Sequence, residues 1–191
     1  YEAGCTSLVY GLETFDSGIL KNLGKGSNRK NNIESVSICL KSGIKPIPNI
    51  IIGFPEETFE TIRNTINELI KLGIHAKPHF ATAYPGSEWY YKYKDSIIKQ
   101  YEGSLEDYVK DLGDATKITG VISHNFSGLE LLGLQEIVAK RDLRLLDQAS
   151  KYWVKSKEDS IAIPQESTNF VRKKINGPIS NERTSIYLEI T

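Results

Sequence analysis

Two strand-to-loop junctions constrain this chain more than any other feature: Tyr10-Gly11-Leu12-Glu13 and Ile52-Gly53-Phe54-Pro55-Glu56-Glu57-Thr58. Each follows an apolar or β-branched run and precedes a helical pattern. Each therefore puts carboxylates and bare backbone at the carboxyl end of a predicted parallel strand, the edge where α/β folds bind ligands. The junctions lie about one strand–helix–strand unit apart, which predicts neighbouring strands of one sheet.

The pattern around them alternates. Ser7 to Tyr10 reads as a short buried strand, and Asp16 to Leu23 as a short helix capped by Asp16 or Ser17. Lys30 to Lys41 reads as a helix with Ile33, Val36 and Leu40 on its apolar face and Gly43 as its stop. Ile44 to Ile52 is the next strand, with prolines early where a missing amide is tolerated. Thr58 caps a helix over Phe59 to Leu72 that buries Ile62, Ile66, Leu69 and Ile70. His75 to Ala83 is a third strand, closed by the turn Tyr84-Pro85-Gly86-Ser87 before a helix from Glu88 to about Ile98. Three strands with crossover helices predict a parallel sheet, too small to close a barrel.

Beyond residue 95 the pattern becomes helical. Ser104 and Ser127 each open a capping box, and apolar spacing from Leu131 to Trp153 predicts one long, kinked helix. Ser185 to Thr191 is a weak strand candidate. The division expected is a core over 1–95 and a helical extension over 96–191.

Composition excludes several classes. With 24 basic and 24 acidic residues the net charge is zero, so nothing points to nucleic acid or an anionic membrane surface. No apolar run approaches the ~18 residues that span a bilayer, and no signal peptide is visible; a cytoplasmic protein is expected. Cys5 and Cys39 are too few for a disulfide framework or an iron–sulfur cluster, and both are expected to be small buried hydrophobes. The chain holds no methionine and begins at Tyr1, so it is expected to be a piece of a longer protein.

Several residues can carry chemistry. Glu13, after a strand and a glycine, can accept from vicinal hydroxyls such as those of a ribose, or can serve as a helix-end or surface carboxylate. Ile51, Ile52 and Gly53 suit a flat heterocycle, or are ordinary sheet core. Lys25 and Arg29 can meet a ligand carboxylate or phosphate, or remain solvated loop charges. Glu56 and Glu57 suit the positive end of the following helix. His75 and His79 lack a Cys or acidic partner, so no metal is assigned to this chain's residues.

The run Ala3-Gly4-Cys5 through Gly11-Leu12-Glu13-Thr14 resembles a strand of the radical S-adenosylmethionine superfamily, with its Gly-Ile/Leu-Glu-Ser/Thr motif. Leu20 to Gly26 is similar to the Lys/Arg-Gly stretch that follows, Gly43 to Thr58 to the next strand and its Gly-x-Pro-Gly-Glu-Thr turn, and Tyr84 to Glu88 to the Pro-Gly-Thr turn after that. The resemblance covers about residues 1–95. It implies an α/β fold, the second half of a partial (β/α)6 TIM-like barrel, with a mainly helical C-terminal extension. It implies S-adenosylmethionine beside a [4Fe-4S] cluster whose one-electron donation cleaves the sulfonium for radical modification of a substrate. The subset most resembled carries a cobalamin-binding domain upstream, which implies cobalamin as a further cofactor and methylation (methyl transfer), rearrangement or ring chemistry as the reaction.

Carried over by position, the resemblance implies that Glu13 contacts the ribose hydroxyls, Lys25 lies near the cofactor carboxylate, and Ile51 with the backbone around Asn49 and Gly53 holds adenine. The partners implied are a substrate of unknown class, the upstream part of the same protein and a one-electron donor. The family's Cys-x3-Cys-x2-Cys loop is not in this sequence, so the cluster ligands would lie outside it. Glu56 stands where the turn usually has glycine, and Asn49 where the strand motif often does. The competing readings are a non-catalytic α/β module that binds a nucleotide or partner, and an unrelated aldolase-type barrel enzyme. No strand-end lysine supports the latter.

Overall fold

A computed structural model describes residues 1–113 and 117–159 of the chain. Within them a small parallel sheet of three strands, β1 (Ser7–Glu13), β2 (Lys45–Ile52) and β3 (His79–Phe80), runs in the order β1-β2-β3. The expected strand at Ser185 to Thr191 lies outside the described residues. Seven helices accompany the sheet: α1 (Ser17–Asn22), α2 (Arg29–Lys41), α3 (Phe59–Lys71), α4 (Glu88–Gln100), α5 (Leu105–Asp111), α6 (Gly128–Lys140) and α7 (Leu143–Asp159). None of them is long and apolar enough to cross a membrane.

The crossovers follow from local chemistry. The Asp16 carboxylate accepts from the Gly18 and Ile19 amides and starts α1, as the sequence predicts. Asn28 caps α2 through the Asn31 amide. Thr58 and Thr61 form a reciprocal capping box on α3. Gly43 and Gly73 end α2 and α3 with φ of 71° and 67°.

The sheet pairs Ser7 with Lys45 through to Gly11 with Asn49, and then Glu13 with Ile50. Leu12 is the extra residue of a bulge, which re-aims the strand end. The expected burial of β1 is corrected here: Leu8 and Val9 are exposed, and the strand is buried only at Leu12. In β2 burial alternates instead of running through, with Ile50 and Ile52 in the core and Ile51 half-buried. The Lys45 amide donates to the Thr6 carbonyl, so the odd-numbered amides of β2 face β1. Pro46 and Pro48 thus lose only amides that point towards β3, which pairs no lower than Ile51.

The third strand, His79–Phe80, is much shorter than the expected His75 to Ala83. Pro78 offers no amide, and its carbonyl instead accepts from Gln135 Nε2 of α6 at 2.6 Å. The helix faces also shift. In α2 the buried set is Asn32, Val36 and Cys39, with Leu40 exposed; in α3 Ile70 is exposed while Thr65 and Glu68 are buried. Cys5 is only partly buried. The single long helix expected from Leu131 to Trp153 is two. Arg141 takes a left-handed φ of 56°, its guanidinium donates to the Ile74 carbonyl, and Asp142 caps α7 through the Arg144 and Leu145 amides.

Two apolar clusters result. The larger joins Ile50 and Ile52 of the sheet to Ile62, Ile66 and Leu69 of α3, Leu134 of α6 and Leu146 of α7. The smaller gathers Phe54, Ala83, Tyr90, Ile97 and Tyr108 around α4 and α5. The helices beyond residue 127 therefore complete the core of the sheet itself.

Candidate functional site

The end of β1 is held in an uncommon backbone conformation. Glu13 has φ of 63°, and the Thr14 amide donates to the Leu12 carbonyl at 2.8 Å. An i to i+2 bond around a residue of positive φ is a γ-turn of the rare, strained hand. Such a conformation persists only where its surroundings over-determine it. Here they do. The buried Asn32 amide donates to both the Leu12 and Thr14 carbonyls at 2.9 Å, one on each side of Glu13. Thr14 and Thr65 share a buried hydroxyl pair at 2.9 Å, Thr65 Oγ1 accepts from the Phe15 amide, and Thr14 Oγ1 accepts from the Asp16 amide.

The Glu13 carboxylate that this turn presents is 16% exposed and ion-paired to Lys25 Nζ, whose side chain is 46% exposed. Lys25 Nζ also donates to the Gly11 carbonyl at 3.3 Å. A Cβ on Gly11 would fall 2.8 Å from Lys25 Nζ and closer still to Glu13 Oε1, so a larger residue there would push the ends of these two side chains aside. Asn49 lies opposite Gly11 in the ladder, half-buried, and Ile51 stands two residues further on the same face of β2. The structure thus brings Glu13, Lys25 and Asn49 together at one strand end, with Ile51 one step away.

Gly53 is placed differently. Its φ is 88°, its amide donates to the buried Glu57 carboxylate, and a Cβ there would lie 3.1 Å from Leu131 of α6. That amide is spent inside the protein, so it has no bond to give a heterocycle. Glu57 is buried instead of facing solvent at the helix end. Burial pushes its carboxyl up to about 8, against the opposing pull of the Gly53 and Phe54 amides and with a further push from Asp16. The Glu57 carbonyl accepts from Asn125 Nδ2 at 2.8 Å and the Pro55 carbonyl from the His124 amide at 3.0 Å, so the turn is clasped by the segment before α6.

Arg29 does not join the candidate pair. It meets the buried Glu68 at 2.5 Å, and Lys71 meets the same carboxylate at 2.9 Å. Burial raises the Glu68 carboxyl, but the bonds and charges of Lys71 and Arg29 outweigh it and hold the group below its ordinary value. His75 lies against Arg141, and His79 is exposed. Among the described residues no three His, Cys, Asp or Glu side chains form a metal-ligating group. Asn32, Thr65 and Glu57 were not visible as site residues in the sequence. A polar Asn one position off an apolar stripe was the only local sign of the first.

No protein-family model matches the chain. Curated relatives are methyl- and methylthio-transferases by name. The chain is 35% identical over 99 residues to an uncharacterized methyltransferase of Pyrococcus horikoshii, a match over 51% of this chain and 22% of that protein. It is 31% identical over 98 residues to the bacteriochlorophyllide d C-12(1)-methyltransferase of Chlorobaculum tepidum, over 50% of this chain and 21% of the relative. A protein of Methanocaldococcus jannaschii named as a methylthiotransferase is 35% identical over 51 residues, 27% of this chain and 11% of its own. The chain thus spans about a fifth or less of the length of these relatives.

Proposed function

We propose that this chain is part of a radical S-adenosylmethionine methyltransferase and supplies the wall of its cofactor site that faces the ribose and the amino-acid end. In this reading the sheet is half of a partial barrel, completed by the rest of the protein. The observation that supports it is the Glu13–Lys25 pair on a strained turn at the carboxyl end of β1.

The residues fit the cofactor in part. Glu13 offers two acceptor oxygens for two vicinal hydroxyls. Lys25, nearly half exposed, can swing from Glu13 to a ligand carboxylate, so that each member of the pair exchanges its partner for one end of the ligand. Asn49 can donate and accept at a purine edge, and half-buried Ile51 can pack on its face. Gly53 acts by shaping the turn, because its amide is held by Glu57. When bound and reduced by a [4Fe-4S] cluster, S-adenosylmethionine supplies radical chemistry. The cluster ligands do not fit on the described residues and are assigned to another part of the protein, as is any cobalamin.

The test uses the complete protein encoded by the gene, purified without oxygen and reconstituted with iron and sulfide. It measures 5′-deoxyadenosine formation on reduction with S-adenosylmethionine, together with S-adenosylhomocysteine affinity by calorimetry, for wild type and Glu13→Ala. Both signals should drop in the variant. A reduced cluster with no product would sink the enzyme reading and favour a nucleotide-binding module.

A further inference from the structure

The geometry points to Asn32 as the residue that positions the Glu13–Lys25 pair, an inference that rests on the cofactor reading above. The side chain is 3% exposed and every polar atom on it is engaged. Its amide nitrogen donates to the Leu12 and Thr14 carbonyls, and its oxygen accepts from Ser27 Oγ at 2.6 Å. Those three contacts join two separate pieces of the site. One is the γ-turn that presents Glu13. The other is the loop before α2 that carries Lys25, two residues before Ser27.

Apart from Lys25 itself, no other side chain among the described residues is bonded to both pieces. Thr65 holds Thr14 and the Phe15 amide but does not reach the Lys25 loop. The two bonds from one planar amide hold the peptide plane before Glu13, through the Leu12 carbonyl, and the plane after Thr14, so the γ-turn is pinned at both ends. Asn suits this place by chemistry. An isosteric Asp would turn two donors into an acceptor facing two carbonyls, and a leucine or alanine would take a donor from both, leaving the Leu12 carbonyl with only its bond from the Thr14 amide. The recruitment of Asn32 goes with a shift of the buried stripe of α2 to Asn32, Val36 and Cys39, with Ile33 partly buried against the core and Leu40 exposed.

Asn32 does not touch the proposed ligand; it acts through Glu13. A displaced carboxylate loses paired bonds to vicinal hydroxyls, so Asn32→Ala should weaken S-adenosylhomocysteine binding by about tenfold or more. The discriminating experiment is a double-mutant cycle on the complete protein, with affinity for S-adenosylhomocysteine measured by calorimetry and folding followed by thermal melting. The four proteins are wild type, Asn32→Ala, Glu13→Gln and the double variant. The loss caused by Asn32→Ala should shrink to less than about twofold in the Glu13→Gln background, because the carboxylate it positions is already gone. Ser27→Ala, which removes only the bond that orients the Asn32 amide, should give a smaller loss with the same dependence on Glu13, and it decides the matter if Asn32→Ala does not fold. Equal losses in both backgrounds, or no loss, would overturn the positioning role while leaving the cofactor reading intact. Unchanged affinity in Glu13→Gln alone would overturn the cofactor reading, and this inference with it.

Discussion

Glu57 should make the protein lose stability as pH rises through neutrality, the reverse of the usual carboxylate. Its side chain sits in the core at 1% exposure, where its partners are the Gly53 and Phe54 amides and no cation. Burial raises its carboxyl from 4.5 to about 8. Between those two values the unfolded chain carries an ionised Glu57 and the folded chain keeps the proton. The folded state then binds more protons than the unfolded one, so stability is full below about pH 4.5, falls by up to ~1.4 kcal/mol per pH unit, and levels off above about pH 8. Taken over the whole window the effect is roughly 5 kcal/mol, and about half of that once water penetration into the opened turn is allowed for.

Other groups titrate in the same range, so the measurement is a difference. Urea denaturation followed by circular dichroism, at several values between about pH 5.5 and about pH 8.5, compares wild type with Glu57→Gln. Glutamine can still accept from the Gly53 amide but adds two donors that find no carbonyl, which costs ~1 kcal/mol. The two curves should therefore cross at about pH 5, and above it the variant should be the more stable protein by a margin that grows with pH and levels off at about pH 8. Parallel curves would refute the reasoning, because they would mean that Glu57 has the same proton affinity folded and unfolded.

Two further substitutions test the packing that shapes the site. Gly53→Ala should destabilise the protein by ~1–3 kcal/mol, from a φ of 88° together with a Cβ 3.1 Å from Leu131; adding Leu131→Ala in a denaturation series should relieve the contact but not the backbone cost. Tyr108→Phe should cost ~1–3 kcal/mol in the same assay, because it strips the buried Ala83 carbonyl of its hydroxyl donor. Burial, with Tyr101, Tyr90 and Tyr84 nearby, pushes the Tyr108 phenol up to about 12, and ultraviolet titration should lose one tyrosine of correspondingly late ionisation in the variant.

What the sequence announced was local, and what it withheld was long-range. Caps at Asp16, Thr58, Ser104 and Ser127 were legible because each cap is a contact between residues two or three apart. The end of α6 was missed although Asp142 is a good cap, because apolar spacing runs across Arg141 without a break, and its left-handed turn is secured by a carbonyl 67 residues away. The length of β3 depended on Gln135, 57 residues on, taking the Pro78 carbonyl.

The site divides in the same way. Glu13 and Lys25 could be named from a motif, since a carboxylate after a strand and a glycine is readable within four residues. The γ-turn that gives Glu13 its direction could not be named, because its determinants are scattered over Asn32 and Thr65, and neither differs in type from an ordinary polar helix residue. A polar residue on an otherwise apolar helix face becomes informative only once the carbonyls it must satisfy are located. Glu57 teaches the converse. A second acid at a helix N-terminus already has a sufficient local explanation in the helix dipole, and that explanation hid a longer-range role: holding the Gly53 amide from within the core. The strained strand end and the buried acid are thus parts of one arrangement, in which groups from α2, α3 and the turn after β2 fix the backbone at the carboxyl edge of the sheet beneath the Glu13–Lys25 pair.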